Sequence, residues 1–125
     1  MRRKSKRQKL IEKIKTLLRE ELKKERGNRC EICGQSGGRL GLFHILPTGK
    51  YPRLMFSKEN ILLSHWYPCH YLWHHDYFRA KGIDRRIQKL RGKNYETKLK
   101  MIEKTMPKLT MVYLETLYEA MKGKK

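Results

Sequence analysis

Residues 60–75, NILLSHWYPCHYLWHH, hold four of the five histidines and one of the three cysteines of the chain. Thiolate and imidazole suit tetrahedral zinc, and structural zinc sites commonly take one CxxC pair early in a unit and a second pair later. Cys30 and Cys33 supply the early pair, and Cys69 is the only other cysteine. The sequence therefore predicts one zinc ion that joins the region near position 30 to this histidine-rich stretch.

The fourth zinc ligand has to be a histidine near Cys69. His65 lies four residues before Cys69, whereas His70 and His74 follow it. The predicted zinc set is therefore Cys30, Cys33 and Cys69, with His65, His70 or His74 as the fourth ligand. Buried free thiols with surface histidines are the interpretation without a metal.

The spacing of hydrophobic residues predicts the secondary structure on both sides of this stretch. Residues 5–26 place leucines and isoleucines at helical intervals between charged residues, which predicts an amphipathic helix. Apolar runs at 40–46 and 60–64 predict two short strands separated by a loop. Pro68 predicts the first turn of a helix that runs to about Lys81 and ends at Gly82.

The remainder of the chain is also helical in pattern. Three apolar-periodic segments follow residue 82, with breaks at Gly92 and Pro107. The Met and Tyr stripe of the last segment predicts core packing. We therefore predict an α+β fold: a basic helix at 1–27, a zinc-stabilised unit of a β-hairpin plus a helix at 28–82, and a helical extension at 83–125 packed on that unit.

The charge balance points to an acidic partner. The chain has 31 Lys and Arg against 12 Asp and Glu, a net charge of +19. Self-repulsion on this scale raises the energy of the compact state unless a polyanion neutralises it. No apolar run approaches the roughly 20 residues that span a bilayer, and the first residues lead into charge rather than into a signal peptide. We expect an intracellular, cytoplasmic protein whose partner is nucleic acid, with no membrane and no small-molecule substrate.

Basic residues predicted to contact phosphates lie in three clusters along the chain. They are Arg2, Arg3, Lys4, Lys50, Arg53, Arg79, Lys81, Arg85 and Arg86. Contacts of this kind depend strongly on salt and discriminate little between sequences.

A second metal site overlaps the first in sequence. In a helix that follows Pro68, His70 and His74 stand at i and i+4 on one face and can bind one cation. His44 lies on the preceding strand. A strand histidine opposite a metal-bearing helix offers a general base beside a Lewis acid, which is what phosphodiester hydrolysis requires.

The ordered set of motifs resembles the His-Asn-His (HNH) nuclease family with its ββα-metal fold. The motifs are Cys30-x2-Cys33, His44-Ile45-x-Pro47, Asn60-Ile61-Leu62-Leu63 and Cys69-His70-x3-His74. They cover about residues 28–80, and the chain is most similar to small phage HNH endonucleases such as the Rap-type recombination nucleases. The resemblance implies a metal-dependent DNA endonuclease that acts in phage DNA recombination or processing and leaves 5′-phosphate ends. For a phage-encoded chain, the location would be the host cytoplasm.

By this resemblance the catalytic residues are His44, Asn60 and His70. His44 would be the general base, and Asn60 would hold the hairpin and orient His44. His70, with His74, would bind a catalytic Mg²⁺ or Mn²⁺.

Two positions depart from the family pattern. Phe43 stands where the family usually has an acidic residue or histidine that helps to bind the catalytic metal. Trp66 stands three residues before Cys69, where the family usually has a second CxxC cysteine, and His65 as a zinc ligand repairs this departure. The first departure keeps a second function open, a catalytically inactive zinc-stabilised DNA-binding module. A zinc-held protein-interaction adaptor would explain the fold but not the charge.

Overall fold

The computed structural model describes residues 3–123, except for the side chains of Pro68, His74 and Tyr77. Two predicted site groups, Arg2 and the His74 imidazole, lie outside this description. Within the described chain, no helix has the length and apolar character needed to cross a membrane.

The first element is the predicted amphipathic helix, α1 (Lys6–Arg26). Its start is a capping box: the Ser5 hydroxyl accepts a hydrogen bond from the Gln8 backbone N–H, and the Gln8 side chain accepts one from the Ser5 N–H. It ends at Gly27, whose φ of 89° favours glycine. The buried face of α1 carries Ile14, Leu18 and Leu22.

A β-hairpin forms the centre of the fold. β1 (Leu40–His44) pairs antiparallel with β2 (Ile61–His65), in a register that sets Phe43 opposite Leu62 and His44 opposite Ile61. The connection between the strands contains short 3-10 turns at Pro52–Leu54 and Lys58–Asn60. Both predicted strands are confirmed, although β1 ends two residues before Leu46.

Helices follow β2 to the end of the described chain. An irregular turn over Trp66–His70 leads into α2 (Tyr71–His75), and α3 (Tyr77–Arg91), α4 (Tyr95–Thr105) and α5 (Met111–Lys122) come next. The α+β prediction is therefore confirmed at the level of a two-stranded antiparallel hairpin with flanking helices.

The predicted helix end at Gly82 is wrong. The chain breaks earlier, at Asp76, whose extended backbone and side chain cap α3 by accepting a hydrogen bond from the Arg79 N–H. Gly82 then lies inside α3, and a Cβ there would meet nothing within 4 Å. Glycine in a helix interior costs only about 1 kcal/mol relative to alanine, which packing overrides. The predicted boundary between residues 82 and 83 thus falls within one continuous helix.

The two faces of the hairpin pack against different helices. Phe43 and Leu62 share a hydrophobic cluster with Ile83, Ile87 and Leu99 of α3 and α4. On the opposite face, residues of β2 pack with the buried faces of α1 and α5; this cluster contains Ile14, Leu18, Leu22, Ile61, Leu63, Leu114 and Met121. Strand side chains alternate between faces, so adjacent residues of β1 pack against different helices.

The last helix starts later than the sequence predicts. Thr110 caps α5 by accepting a hydrogen bond from the Tyr113 N–H, so the helix begins at Met111 rather than near Pro107. The predicted core role of its apolar stripe is confirmed for Leu114 and Met121, which are buried. Val112 belongs to the same predicted stripe but is 74% exposed.

Candidate metal centre and histidine site

Four side chains from three parts of the chain converge to form a candidate zinc site. The ligand atoms of Cys30, Cys33, His65 and Cys69 all lie within 4.8 Å of one another. The Cys30 and Cys69 Sγ atoms are 3.6 Å apart, and Cys33 Sγ lies 3.5 Å from His65 Nδ1. In a tetrahedral site with Zn–S bonds of about 2.3 Å, neighbouring sulfurs lie about 3.8 Å apart. This group could hold a zinc ion, and His70, the alternative fourth ligand, is not part of it.

The orientation of His65 is set by a backbone carbonyl. Its Nε2 lies 2.7 Å from the Gly37 carbonyl oxygen, which can only accept a hydrogen bond, so Nε2 carries the proton. Nδ1 is then the nitrogen with the lone pair, and it is the one that faces Cys33. Metal-bound histidines are commonly fixed in this way. A Cβ at Gly38, whose φ is 68°, would lie 3.3 Å from the His65 ring, so the close approach of this loop requires glycine.

The thiols of the site differ in acidity. Burial raises the pKa of Cys30, but backbone hydrogen bonds from Cys33, His65 and Ile32 outweigh it and lower the pKa to about 7. Burial, together with the neighbouring Cys30 and Cys33 thiols, raises the pKa of Cys69 to about 12. All three cysteines are free. A dication between them would favour thiolates at all three positions, so binding of zinc would release protons.

His44 lies at the end of β1 and faces α1. Its Nε2 donates a hydrogen bond to the Met55 carbonyl oxygen at 2.8 Å, which leaves Nδ1 with the lone pair. Burial lowers the pKa of His44; the Met55 hydrogen bond opposes this shift and the nearby Lys15 charge adds to it. His44 is therefore a neutral imidazole of defined tautomer at pH 7.

A cationic cavity opens beside His44. It has a volume of about 420 Å³ and is lined by Glu12, Lys15, Thr16, Arg19, Arg39, Leu42 and His44. The sequence did not single out Lys15, Arg19 or Arg39. Lys15 and Arg19 stand four apart on α1 and share a face, but only the docking of α1 on the hairpin places that face over His44.

Asn60 fastens the chain that leaves β1. Its side chain is fully buried; Oδ1 accepts a hydrogen bond from the Leu46 N–H at 2.8 Å, and Nδ2 donates one to the Leu46 carbonyl at 3.1 Å. The Asn60 carbonyl also accepts a hydrogen bond from the Ile45 N–H. These bonds hold the two residues that follow His44, which is the arrangement that a positioning role requires.

His70 lies on the other face of the hairpin, against Phe43. The two ring centroids are 4.7 Å apart, and the Phe43 side chain is fully buried. Trp66 contacts the same imidazole edge-on, with centroids 4.8 Å apart. Among the described side chains, His70 belongs to no group of three possible metal ligands. A catalytic site for Mg²⁺ or Mn²⁺ on His70 and His74 stays a prediction.

The predicted phosphate-binding residues are dispersed over the surface. Arg53 and Arg86 make contacts within the protein, with Met106 and the Glu31 carbonyl respectively. Lys4 pairs with Glu12. The others for which the structure gives a position are Arg3, which is exposed, Lys50 beside the Tyr51 ring, and Arg79, Lys81 and Arg85 on α3.

Comparison with known proteins identifies no relative of this chain. No protein-family model matches the chain, and neither a curated protein nor a solved structure is significantly similar to it. Functional inference therefore depends on the residues and their geometry.

Proposed function

We propose that the protein is a zinc-stabilised HNH-type endonuclease that hydrolyses DNA phosphodiester bonds, with His44 as the general base. The observation that carries this proposal is the state of His44: a neutral imidazole whose tautomer is fixed by Met55, at a cavity lined by three cationic side chains. A general base needs an available lone pair at working pH. A phosphodiester needs cations where its charge develops.

The reaction assigned to this cavity is an in-line attack by water. His44 Nδ1 takes a proton from the water as its oxygen bonds to phosphorus, and the bond from phosphorus to the 3′ oxygen breaks. The leaving 3′ oxygen takes a proton from solvent, and the imidazolium returns its proton to solvent. Lys15, Arg19 and Arg39 would neutralise the phosphate and the charge that grows on it. The products carry a 5′ phosphate and a 3′ hydroxyl.

The proposed zinc centre has a structural part in this scheme. It joins the chain before β1 to the end of β2, so it holds the hairpin from the end away from His44. Asn60 holds the other end through Leu46. His44 is thereby held between two anchors, and catalysis depends on such positioning.

The residues beside His70 do not fit a catalytic magnesium ion. Mg²⁺ prefers oxygen ligands in octahedral geometry, whereas His70 packs between the rings of Phe43 and Trp66. No step of the reaction is therefore assigned to a cation at this position. Charge stabilisation is assigned to the lysine and arginines of the cavity.

Nicking of supercoiled plasmid DNA tests the proposal. Zinc-loaded protein is assayed with Mg²⁺, with Mn²⁺ and without either ion. His44→Ala should reduce nicking by about 10²- to 10⁴-fold, the usual worth of a general base, and should leave DNA affinity and zinc content unchanged. Thr116→Ala, at an exposed position on α5, is the control and should nick at the wild-type rate. Wild-type protein that binds DNA but nicks it under none of these conditions would refute the nuclease proposal.

One observation favours a second candidate, a zinc-stabilised DNA-binding module without activity. Phe43 occupies the position of a family metal ligand and is fully buried against His70. In that case the charge of +19 would account for the function through phosphate contacts alone. The plasmid assay separates the candidates, because both bind DNA and only one cuts it.

A further inference from the structure

Three aromatic side chains form an exposed cluster beside the candidate zinc site. Trp66 is 61% exposed, Tyr67 is 69% exposed and Tyr71 is 38% exposed. Tyr71 contacts both of the others, with ring centroids 6.4 Å from Trp66 and 5.6 Å from Tyr67. Single exposed apolar residues are normal, but contiguous exposed aromatics usually mark a binding surface. We call Trp66, Tyr67 and Tyr71 the aromatic cluster.

The candidate zinc ligands fix where this cluster lies. Trp66 and Tyr67 occupy the short segment between His65 and Cys69, so both ends of the segment are held at the metal site. Tyr67 has an extended backbone, with φ of −124° and ψ of 134°, within an otherwise turn-like segment. The rings are thus displayed by a segment whose ends are anchored, which lowers the entropy lost when a ligand covers them.

Ring orientation leaves surface available for stacking. The contact between Trp66 and Tyr71 is edge-on at 74°, and that between Tyr67 and Tyr71 is tilted at 52°. Trp66 also contacts the His70 ring at 77°. None of these contacts is a parallel stack, in which each ring would cover a face of the other. Tyr71 does stack on His75, with an interplanar angle of 28° and centroids 4.3 Å apart. Trp66 and Tyr67 are the most exposed rings of the cluster and therefore offer surface for stacking, and Tyr71 supports them.

Two arginines lie near the segment that carries the cluster. Arg79 and Arg86 of α3 line a cavity of about 270 Å³ together with Cys69, which lies two residues before Tyr71, and Leu72, which directly follows it. The Arg86 Nε donates to the Glu31 carbonyl at 2.8 Å, which holds this guanidinium beside the metal site. Exposed aromatic rings with arginines nearby match a chain of bases joined by phosphates.

We propose that the aromatic cluster is a stacking surface for unpaired nucleotides of DNA, with Trp66 and Tyr67 against bases and Arg79 against the adjoining phosphate. In a duplex, neighbouring bases cover each base face, so these rings can stack only on bases in single-stranded regions, at frayed duplex ends or at branch points. This inference rests on the proposed function for its choice of DNA. It adds a preference for strands with exposed bases.

The test compares one labelled single strand with one labelled duplex. Zinc-loaded full-length protein carrying His44→Ala, which prevents cleavage, is titrated into fluorescein-labelled dT12 and into a 12-base-pair duplex. Trp66→Ala and Tyr67→Ala should each weaken dT12 binding by about 5- to 150-fold, the usual effect of losing one base–aromatic stack. Duplex affinity should change less than about twofold, because it depends on phosphate contacts.

Three controls keep the result specific. Trp66→Phe retains a ring and should keep most of the dT12 affinity, whereas Tyr113→Ala on α5 removes an aromatic side chain elsewhere and should change neither affinity. Binding of dT12 should quench tryptophan fluorescence, and the quench should disappear in Trp66→Ala although Trp73 remains. Zinc content and thermal melting of each variant show whether it is folded.

Several results would overturn the inference. One is an equal loss of affinity for dT12 and duplex; another is no loss for dT12 in folded Trp66→Ala and Tyr67→Ala proteins. Tighter binding of rU12 than of dT12 would reject DNA as the ligand. A dimer that becomes a monomer in Trp66→Ala, with dT12 affinity unchanged, would make the cluster a self-association surface. Because binding is read without cleavage, failure of the nuclease proposal in the plasmid assay leaves this test intact.

Discussion

Replacement of Asn60 by alanine should damage both the stability of the protein and the position of His44. The Asn60 side chain is fully buried and makes two hydrogen bonds to the backbone of Leu46, at 2.8 and 3.1 Å. Leu46 is itself only 7% exposed, so water can replace the lost partners poorly. The variant would leave one buried N–H and one buried carbonyl unsatisfied.

The expected cost follows from those two groups. A buried polar group that loses its partner destabilises the folded state by about 1–3 kcal/mol. Two such groups give about 2–6 kcal/mol for Asn60→Ala, which is a large share of the typical stability of about 5–15 kcal/mol. At roughly 3–5 °C per kcal/mol for a domain of this size, we expect the melting temperature to fall by about 6–30 °C.

Urea denaturation of the zinc-loaded protein measures this change directly. Asn94→Ala is the matched control, because Asn94 is exposed at the start of α4 and makes no side-chain capping bond. It should change the free energy of unfolding by less than about 0.5 kcal/mol. Below its lower melting temperature, folded Asn60→Ala should nick plasmid more slowly than wild type, since the residues after His44 are no longer held.

The magnitude also defines the refutation. If Asn60→Ala lowered the free energy of unfolding by no more than Asn94→Ala, Asn60 would not be anchoring Leu46. If Asn60→Ala were destabilised but nicked plasmid at the wild-type rate at low temperature, Asn60 would anchor Leu46 without positioning His44.

The remaining predictions concern the zinc site, pH and the hairpin face opposite α1. Cys33→Ser and His65→Ala should lose zinc, by metal analysis, and much of their cooperative melting, whereas His70→Ala should keep its zinc; the reverse pattern would move the fourth ligand to His70. Burial lowers the folded-state pKa of His44. Its contribution to stability is therefore full above its ordinary pKa of about 6.5 and is lost as pH falls through the folded-state value. The nicking rate should fall over the same acidic range, and His44→Gln should remove this pH dependence from the free energy of unfolding. Phe43→His should lower the melting temperature without raising plasmid nicking with Mn²⁺, because Phe43 is fully buried against His70 and no step is assigned to a cation there; faster nicking would show that the site lacked one metal ligand.

The candidate zinc ligands could be taken from the sequence because few residue types bind zinc and most of those in this chain lie close together in sequence. Few side chains bind zinc, the chain has only three cysteines, and four of five histidines fall in residues 60–75. Geometry then selected His65 over His70. The strand pairing and α1 were predictable for a similar reason, since apolar periodicity, Ser5 and Gly27 all act within a few residues.

Local competition explains the helix end that the sequence misplaced. Gly82 is a conventional stop signal, but Asp76 supplies a side-chain cap six residues earlier, and α3 then buries Ile83 and Ile87 against the hairpin. Burial of two such side chains contributes about 3–6 kcal/mol, more than the roughly 1 kcal/mol that glycine costs inside a helix. A sequence pattern does not reveal which of these terms is larger.

The sequence by itself determined α1, the two strands, the candidate zinc ligands and the roles considered for His44 and Asn60. Only the tertiary structure decided what surrounds them. Lys15 and Arg19 come to the His44 cavity because α1 docks on one face of the hairpin, and the Met55 carbonyl sets the His44 tautomer from the loop between the strands. These partners lie 11 or more residues from His44 in the chain, and their approach depends on how layers pack, which no short-range pattern encodes.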